Sequence, residues 1–267
     1  VIPFADETPV RRFPAITLAL IALCIVVFLA VQPTRLTVDH FLSPEVELVD
    51  REELEFLVDN AAIPCEIIRG RPLTQHEFRD TFRDGDASAC RNSDGTRHSP
   101  GKLVYLALVV SMFLHGSPEH LFGNLLFLWV FGNDIEHRWG RARFLAIYLV
   151  GGIVASLAHV LSDPDSTVPM IGASGAIAAV MGAYLVSYPG NRVKTIVFFG
   201  LMLLRKVKAA WLLLTWLALQ LLLIPGDSGI AWAAHVGGFL FGVLVGVVWK
   251  RRGRETEVPV PARPTTA

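Results

Sequence analysis

The chain has 267 residues, 52% of them hydrophobic and only 18% charged, with a formal net charge of zero and a mean hydropathy of +0.48. So apolar a chain cannot cover a water-facing surface, and its charge balance removes any overall electrostatic case for nucleic acid. Three cysteines are too few for a disulfide scaffold, and the composition indicates an integral membrane protein.

Crossing a bilayer core of roughly 30 Å takes about 20 apolar residues in a helix. Residues 1–13 form a cytoplasmic N-terminus in which Arg11 and Arg12 precede the first apolar run, 14–32. That run is long enough to span and lacks a clear small-residue cleavage site, so it reads as an uncleaved anchor rather than a signal peptide. Residues 33–116 form a long, acid-rich external loop. It contains Cys65 and Cys90, which are free to pair or to remain thiols in an oxidising compartment. Cys24, within the first span, reads as packing. The short apolar run Leu103–Leu114 fits an interfacial helix. Five further spans follow at about 117–134, 143–161, 168–188, 208–225 and 230–249, with Lys194–Leu204 leading along the membrane surface into the fifth. Residues 117–249 are thus a five-helix remainder of the core, and 250–267 a basic, then disordered, cytoplasmic tail. The expected class is all-α: a polytopic membrane bundle of six transmembrane helices with a long external first loop.

Short loops rich in Lys and Arg stay cytoplasmic. HRWGRAR (137–143), the cluster Arg192, Lys194, Arg205, Lys206 and Lys208, and KRRGR (250–254) lie on one side. SDPDS (162–166) and PGDSG (225–229), which carry acids and no base, lie on the other. Both termini are therefore cytoplasmic, and the second, fourth and sixth spans start at the external face.

Polar residues a few positions into those three spans share a depth, roughly 5–12 Å below the outer surface at about 1.5 Å per residue. They are His120 and Asn124, Ser174, and His235. A lone serine in a Gly/Ala-rich span ordinarily bonds to its own helix, and a lone interior histidine is ordinarily a structural donor. Their joint placement carries a different reading, because polar groups in a span are costly and by default mark a site. Ser174 would attack a peptide carbonyl, with His235 as general base and then acid. His120 and Asn124, four apart and so on one helix face, would donate to the negative tetrahedral oxygen, with the Ser174 backbone N–H as a third donor. No Asp or Glu lies at that depth on these helices, so a Ser–His dyad is expected rather than a triad. Gly238, Gly242 and Gly246, together with the glycines and alanines around Ser174, would let the two helices approach closely.

Other candidates are weaker. Ser228 in GDSG sits among ordinary turn formers between two spans. His159 packs or meets the interface, or is a second base; His115 is structural or orders water at the entrance. Glu136 and Arg138 read as an orientation lock or ion pair, and His40, His76 and His98 show no ligand spacing. HExxH and GxGD are absent, and no metal or other cofactor is required.

HGSPEHLFGNLLFLWVFGNDIEHRWG (115–140), GASGAIAAVMGAY (172–184) and AHVGGFLFG (234–242) together resemble the rhomboid intramembrane serine proteases, over about 101–249. The resemblance implies Ser174 as nucleophile, His235 as its partner, His120 and Asn124 at the oxyanion site, and Gly172 lining the site with its backbone. It further implies a water-filled cavity open to the external side and substrates that are transmembrane proteins. The chain departs from some rhomboids in carrying Ala178 where an aromatic ring supports the histidine, so His235 must be oriented otherwise, by water for instance. Its first loop is also longer and more acidic than in minimal members. The expected function is an intramembrane serine endopeptidase acting within the lipid bilayer, in a bacterial cytoplasmic membrane, with no nucleic-acid partner. The alternative is a non-catalytic rhomboid-like chaperone.

Overall fold

A computed structural model describes residues 2–6, 13–33, 51–91, 95–198, 202–222 and 231–252. Ser228, His40, Arg11, Arg12 and the tail from 253 lie outside the described residues, so expectations about them rest on sequence alone.

The described chain is mostly helical. Helix α1 (Ala15–Val26) continues as a wider helical turn over Val27–Val31 and buries Thr17, Leu20, Cys24 and Phe28, one stripe at helical spacing. Three short helices follow, α2 (Arg51–Asn60), α3 (Pro64–Arg69) and α4 (Gln75–Phe82). The short α5 (Ala107–Val110) tightens into a single turn over Ser111–Phe113. Helix α6 (Pro118–Phe127) runs through Leu128–Gly132 into α7 (Asn133–Trp139) without leaving helical dihedrals, and Gly140, at φ 83°, turns the chain into α8 (Arg141–Ser162). The remaining helices are α9 (Ser174–Ser187), α10 (Ala209–Leu222) and α11 (Trp232–Arg252).

Among the described residues two helical segments are long and apolar enough by themselves to cross a membrane, Arg141–Ser162 and Trp232–Lys250. Ala15–Val31, Ser174–Ser187 and Ala209–Leu222 are shorter apolar helices. Large apolar side chains such as Leu161, Trp211, Leu222, Leu240 and Leu244 point outward, an exterior suited to lipid rather than water.

Helix α9 is the hub. Every residue from Gly175 to Tyr184 is buried, as expected for a helix apolar all round. Helices α8 and α11 flank it, α11 at backbone contact. A β-carbon at Gly238 would fall on the Gly175 carbonyl, one at Gly242 on the Ala179 carbonyl, and one at Gly182 on the Phe239 carbonyl. From α8, Gly151 instead faces the Ala179 side chain.

The chain is not wholly α. Strands β1 (Ile2–Asp6), β2 (Arg192–Phe198) and β3 (Met202–Lys208) form an antiparallel sheet in the order β1-β2-β3, with Thr195 opposite Arg205. The segment expected to run along the membrane surface is thus a hairpin. The reason is local: β2 buries Val193 and Thr195 and exposes Arg192 and Lys194, a period of two carried partly by β-branched residues.

The long loop folds over the bundle. Cys65 and Cys90 form a disulfide across a separation of 25 residues, a closure of the size that adds about 3–4 kcal/mol. Thr74 and Glu77 make a reciprocal cap on α4, and the Glu77 carboxylate also takes two bonds from Arg71 at 2.7 and 2.8 Å; this hydrogen-bonded charge raises the Arg71 pKa. Lys102 Nζ lies 2.5 Å from Glu66 Oε2, both side chains almost fully enclosed. Burial pushes the Glu66 pKa up and the Lys102 pKa down, the cost that makes such a pair depend on tight geometry.

At the far end of α6–α7 from His120, Glu136 is buried against the start of α1. It accepts from the backbone N–H of Ile16 and Thr17 at 3.0 and 2.8 Å and from the Thr17 hydroxyl at 2.8 Å. Glu136 therefore caps a neighbouring helix, and Arg138 stacks over the Tyr188 ring instead of pairing with it. Removing the carboxylate strands buried donors at about 1–3 kcal/mol each. Glu136→Ala should therefore lower unfolding stability in detergent by about 3 kcal/mol or more, and Glu136→Gln by less, as read by circular dichroism on denaturation.

Candidate functional site

Ser174 is the first helical residue of α9, preceded by Ala173 in the α region and by Gly172 at φ 115°. Its side chain thus projects from a helix N-terminus, where the first-turn N–H groups have no intrahelical partner and the dipole favours negative charge. His235 lies near the start of α11. Its Nε2 is 2.7 Å from Ser174 Oγ, and its Nδ1 is 2.6 Å from Gln220 Oε1 on α10. The approach is permitted by the glycine contact one residue beyond the serine, where Gly238 of α11 meets the Gly175 carbonyl.

His120 and Asn124 stand on α6, which is capped by Ser117 accepting from the His120 N–H at 3.1 Å. Asn124 is buried, and its Nδ2 donates to the His120 carbonyl at 3.0 Å. Both face Gly172. A β-carbon there would lie 2.7 Å from His120 Nε2 and 3.7 Å from Asn124 Nδ2. The structure therefore forms two adjoining groups, Ser174 with His235 and His120 with Asn124 and Gly172, joined by the two peptide steps from 172 to 174.

The segment before Ser174 is held from outside. Gly172 N–H donates to the Ser111 carbonyl at 2.9 Å, and Ser111 Oγ accepts from Ala62 N–H at 2.7 Å. Met170 N–H donates to the Ala62 carbonyl, Cys65 N–H to that of Ser166, and Thr167 N–H to that of Ala87. The loop thus binds residues 166–172 through a series of backbone hydrogen bonds. Cys65, Glu77 and Cys90 are close enough to share a cation. Their chemistry is spent otherwise, the sulfurs on each other and the carboxylate on Arg71, Thr74 and Arg91.

His115 is wholly buried, edge-on to His120 at 5.3 Å between ring centroids, and its backbone exchanges two 3.0 Å bonds with the Gln32 amide. His159 makes no bond to Ser174; its carbonyl accepts from Ser162 Oγ. His98 stacks on Phe78 in the loop domain. The sequence reading missed Gln220, and with it Trp216, whose ring lies 5.6 Å from that of His235. The available signal was a single amide in the apolar run 209–222; intramembrane polar residues mark sites by default.

The Rhomboid domain family profile matches residues 102–252. The chain is 32% identical over 167 residues to presenilin-associated rhomboid-like protein A, mitochondrial, of Danio rerio, covering 59% of this chain and 42% of that protein. It is 34% identical over 157 residues to rhomboid protease AarA of Providencia stuartii, covering 52% and 54%. It is 41% identical over 85 residues to rhomboid protease GluP of Bacillus subtilis (strain 168), covering 32% and 16%. The chain thus spans about half or less of the length of these relatives.

Gly172 makes the site's closest backbone approach at a dihedral that side chains rarely adopt. Gly172→Ala should cost about 1–3 kcal/mol, whereas Ala173→Gly, in ordinary α geometry, should cost no more than about 1 kcal/mol. Thermal unfolding in detergent compares the two.

Proposed function

The chain belongs to the rhomboid family, and from that premise we propose that it is an intramembrane serine endopeptidase working through a Ser174–His235 dyad. One observation carries the reading: a serine hydroxyl at a helix N-terminus within 2.7 Å of an imidazole nitrogen, inside a mostly apolar bundle. The proposed roles follow. His235 Nε2 takes the hydroxyl proton as Ser174 Oγ bonds to a substrate carbonyl carbon. His120, Asn124 and the Ser174 N–H hold the resulting oxyanion. The amine then leaves with the proton from His235, and the acyl-serine is released by a water that His235 deprotonates. Gly172 keeps the floor of the site open by carrying no side chain.

In this reading six helices span the bilayer: α1 with its continuation, α6–α7, α8, α9, α10 and α11. Several basic groups gather at the end away from the site. Arg138 lies over Tyr188, Arg143 over Trp249, and Lys250 Nζ meets the Val186 carbonyl. That distribution supports a cytoplasmic placement for this end, with the site opening externally. The termini share the cytoplasmic side, and a bacterial cytoplasmic membrane fits the two bacterial relatives. Substrates are membrane proteins whose transmembrane helices contain weak helix formers, because a helical carbonyl must be freed before Ser174 can reach it.

Purified protein in detergent or liposomes, given a model transmembrane substrate and a fluorophosphonate, should cleave the one and be labelled by the other. Ser174→Ala should lose both, and His235→Ala should lose cleavage. His120→Ala or Asn124→Ala should lower kcat by about 10²–10³-fold, and Ser228→Ala should leave cleavage unchanged. Cleavage that persists in Ser174→Ala would overturn the proposal.

A further inference from the structure

His235 has two ring nitrogens, and the dyad uses only one of them. The other, Nδ1, lies 2.6 Å from Gln220 Oε1, the shorter of the two bonds this ring makes. Gln220 is 8% exposed on a helix whose remaining residues from 209 to 222 are apolar except for Thr215. An amide in such a place is costly unless it is bonded. Its own Nε2 donates to the Trp216 carbonyl one turn back, at 3.5 Å. The two contacts together fix which way the amide faces. Reversed, its oxygen would oppose the Trp216 carbonyl oxygen, and its N–H would point at Nδ1.

We propose that Gln220 is a positioning residue for the dyad: its amide oxygen keeps the proton on His235 Nδ1, which leaves Nε2 bare to accept from Ser174. This rests on the Ser174–His235 reading above and deepens it.

The argument is one of tautomers. A neutral imidazole carries one proton, on either nitrogen, and the hydrogen bond made by one nitrogen decides the state of the other. An amide oxygen can only accept, so the nitrogen it meets must be the protonated one. With the proton on Nε2 instead, the ring would donate to Ser174 and could not act as its base. Gln220 thus does by neutral hydrogen bonding what a carboxylate would otherwise do with charge, without placing an anion in the apolar bundle. Trp216 complements it. One turn earlier on the same face of α10, its ring borders His235 at an interplanar angle of 45°. The pair Trp216 and Gln220, four residues apart, therefore braces the imidazole that Ala178 is too small to support. The orientation of the catalytic histidine is tied to α10, which seats on the core through Ala209, Leu213 and Gln220.

The test uses the full-length protein with the histidine rings labelled in nitrogen. In the wild type the His235 spectrum should show Nδ1 protonated and Nε2 bare. Gln220→Met, close in volume and without an acceptor, should give mixed tautomers. It should lower kcat and the rate of fluorophosphonate labelling together by about 10- to 100-fold, the scale on which losing a partner behind a working imidazole is felt. KM should stay within about twofold, because no substrate contact is removed. Gln220→Glu keeps an accepting oxygen whether or not it is ionised, and should recover most of the rate. Wild-type labelling and cleavage in Gln220→Met, or a wild-type ring protonated on Nε2, would overturn the inference; the second result needs no variant to fold. A Ser174→Ala protein that still cleaves removes the dyad itself. An inactive Ser174→Ala beside a fully active Gln220→Met removes only the role of Gln220.

Discussion

The whole arrangement depends on two helix backbones touching. Helices α9 and α11 meet where Gly238 lies on the Gly175 carbonyl, Gly242 on the Ala179 carbonyl and Gly182 on that of Phe239. In lipid no hydrophobic drive separates helix from solvent, so association comes from close packing and a few polar bonds. Serine is short and imidazole has limited reach. A hydroxyl on one helix and an imidazole on the other can stand 2.7 Å apart only because the glycines remove every side chain between the two rods. Helix α8 closes the third side with glycines that receive small or flexible side chains, Gly151 against Ala179 and Gly152 against Ala176 and Met112.

Around that contact several polar groups are already engaged. His235 is engaged at both nitrogens, Asn124 is tied to its own helix, and the Gly172 N–H is bonded to Ser111. The long loop closes the system. Backbone bonds with Ala62, Cys65, Ala87 and Ser111 hold residues 166–172, and that segment ends two residues before Ser174. At the opposite end Glu136 fixes the start of α1. The bundle is thus pinned near both ends and packed in the middle, leaving Ser174 where a helix begins and the backbone N–H groups are unspent.

Much of this was legible in the sequence because an apolar background makes polar residues conspicuous. Ser174, His235, His120 and Asn124 stand out by residue type and by depth, and the structure brings them together as two adjoining groups. Gly172 was legible only through family resemblance; its reason, a positive φ against the His120 ring, is a tertiary fact. Gln220 is less legible because it lies near the C-terminal end of α10, whereas His120, Ser174 and His235 lie near the starts of their helices. The hairpin of β2 and β3 is harder to see, because its strands are short and only the alternation of Val193, Lys194 and Thr195 marks the first of them. The pairing of Cys65 with Cys90 stays open in the sequence, which offers two thiols in one loop but not the distance between them. The grip of the loop on 166–172 leaves no pattern, because it joins distant residues through backbone groups that every residue carries.

The central claim is that backbone contact between α9 and α11 sets the distance between serine and imidazole. Enlarging the residue at 242 in steps, from Gly242→Ala through Gly242→Val to Gly242→Leu, tests it directly when the rate of fluorophosphonate modification of Ser174 is measured on protein whose helical signal is intact. The account predicts a stepwise fall in that rate as the side chain grows and wedges the helices apart. A Gly242→Leu protein that reacts as fast as the parent would contradict it.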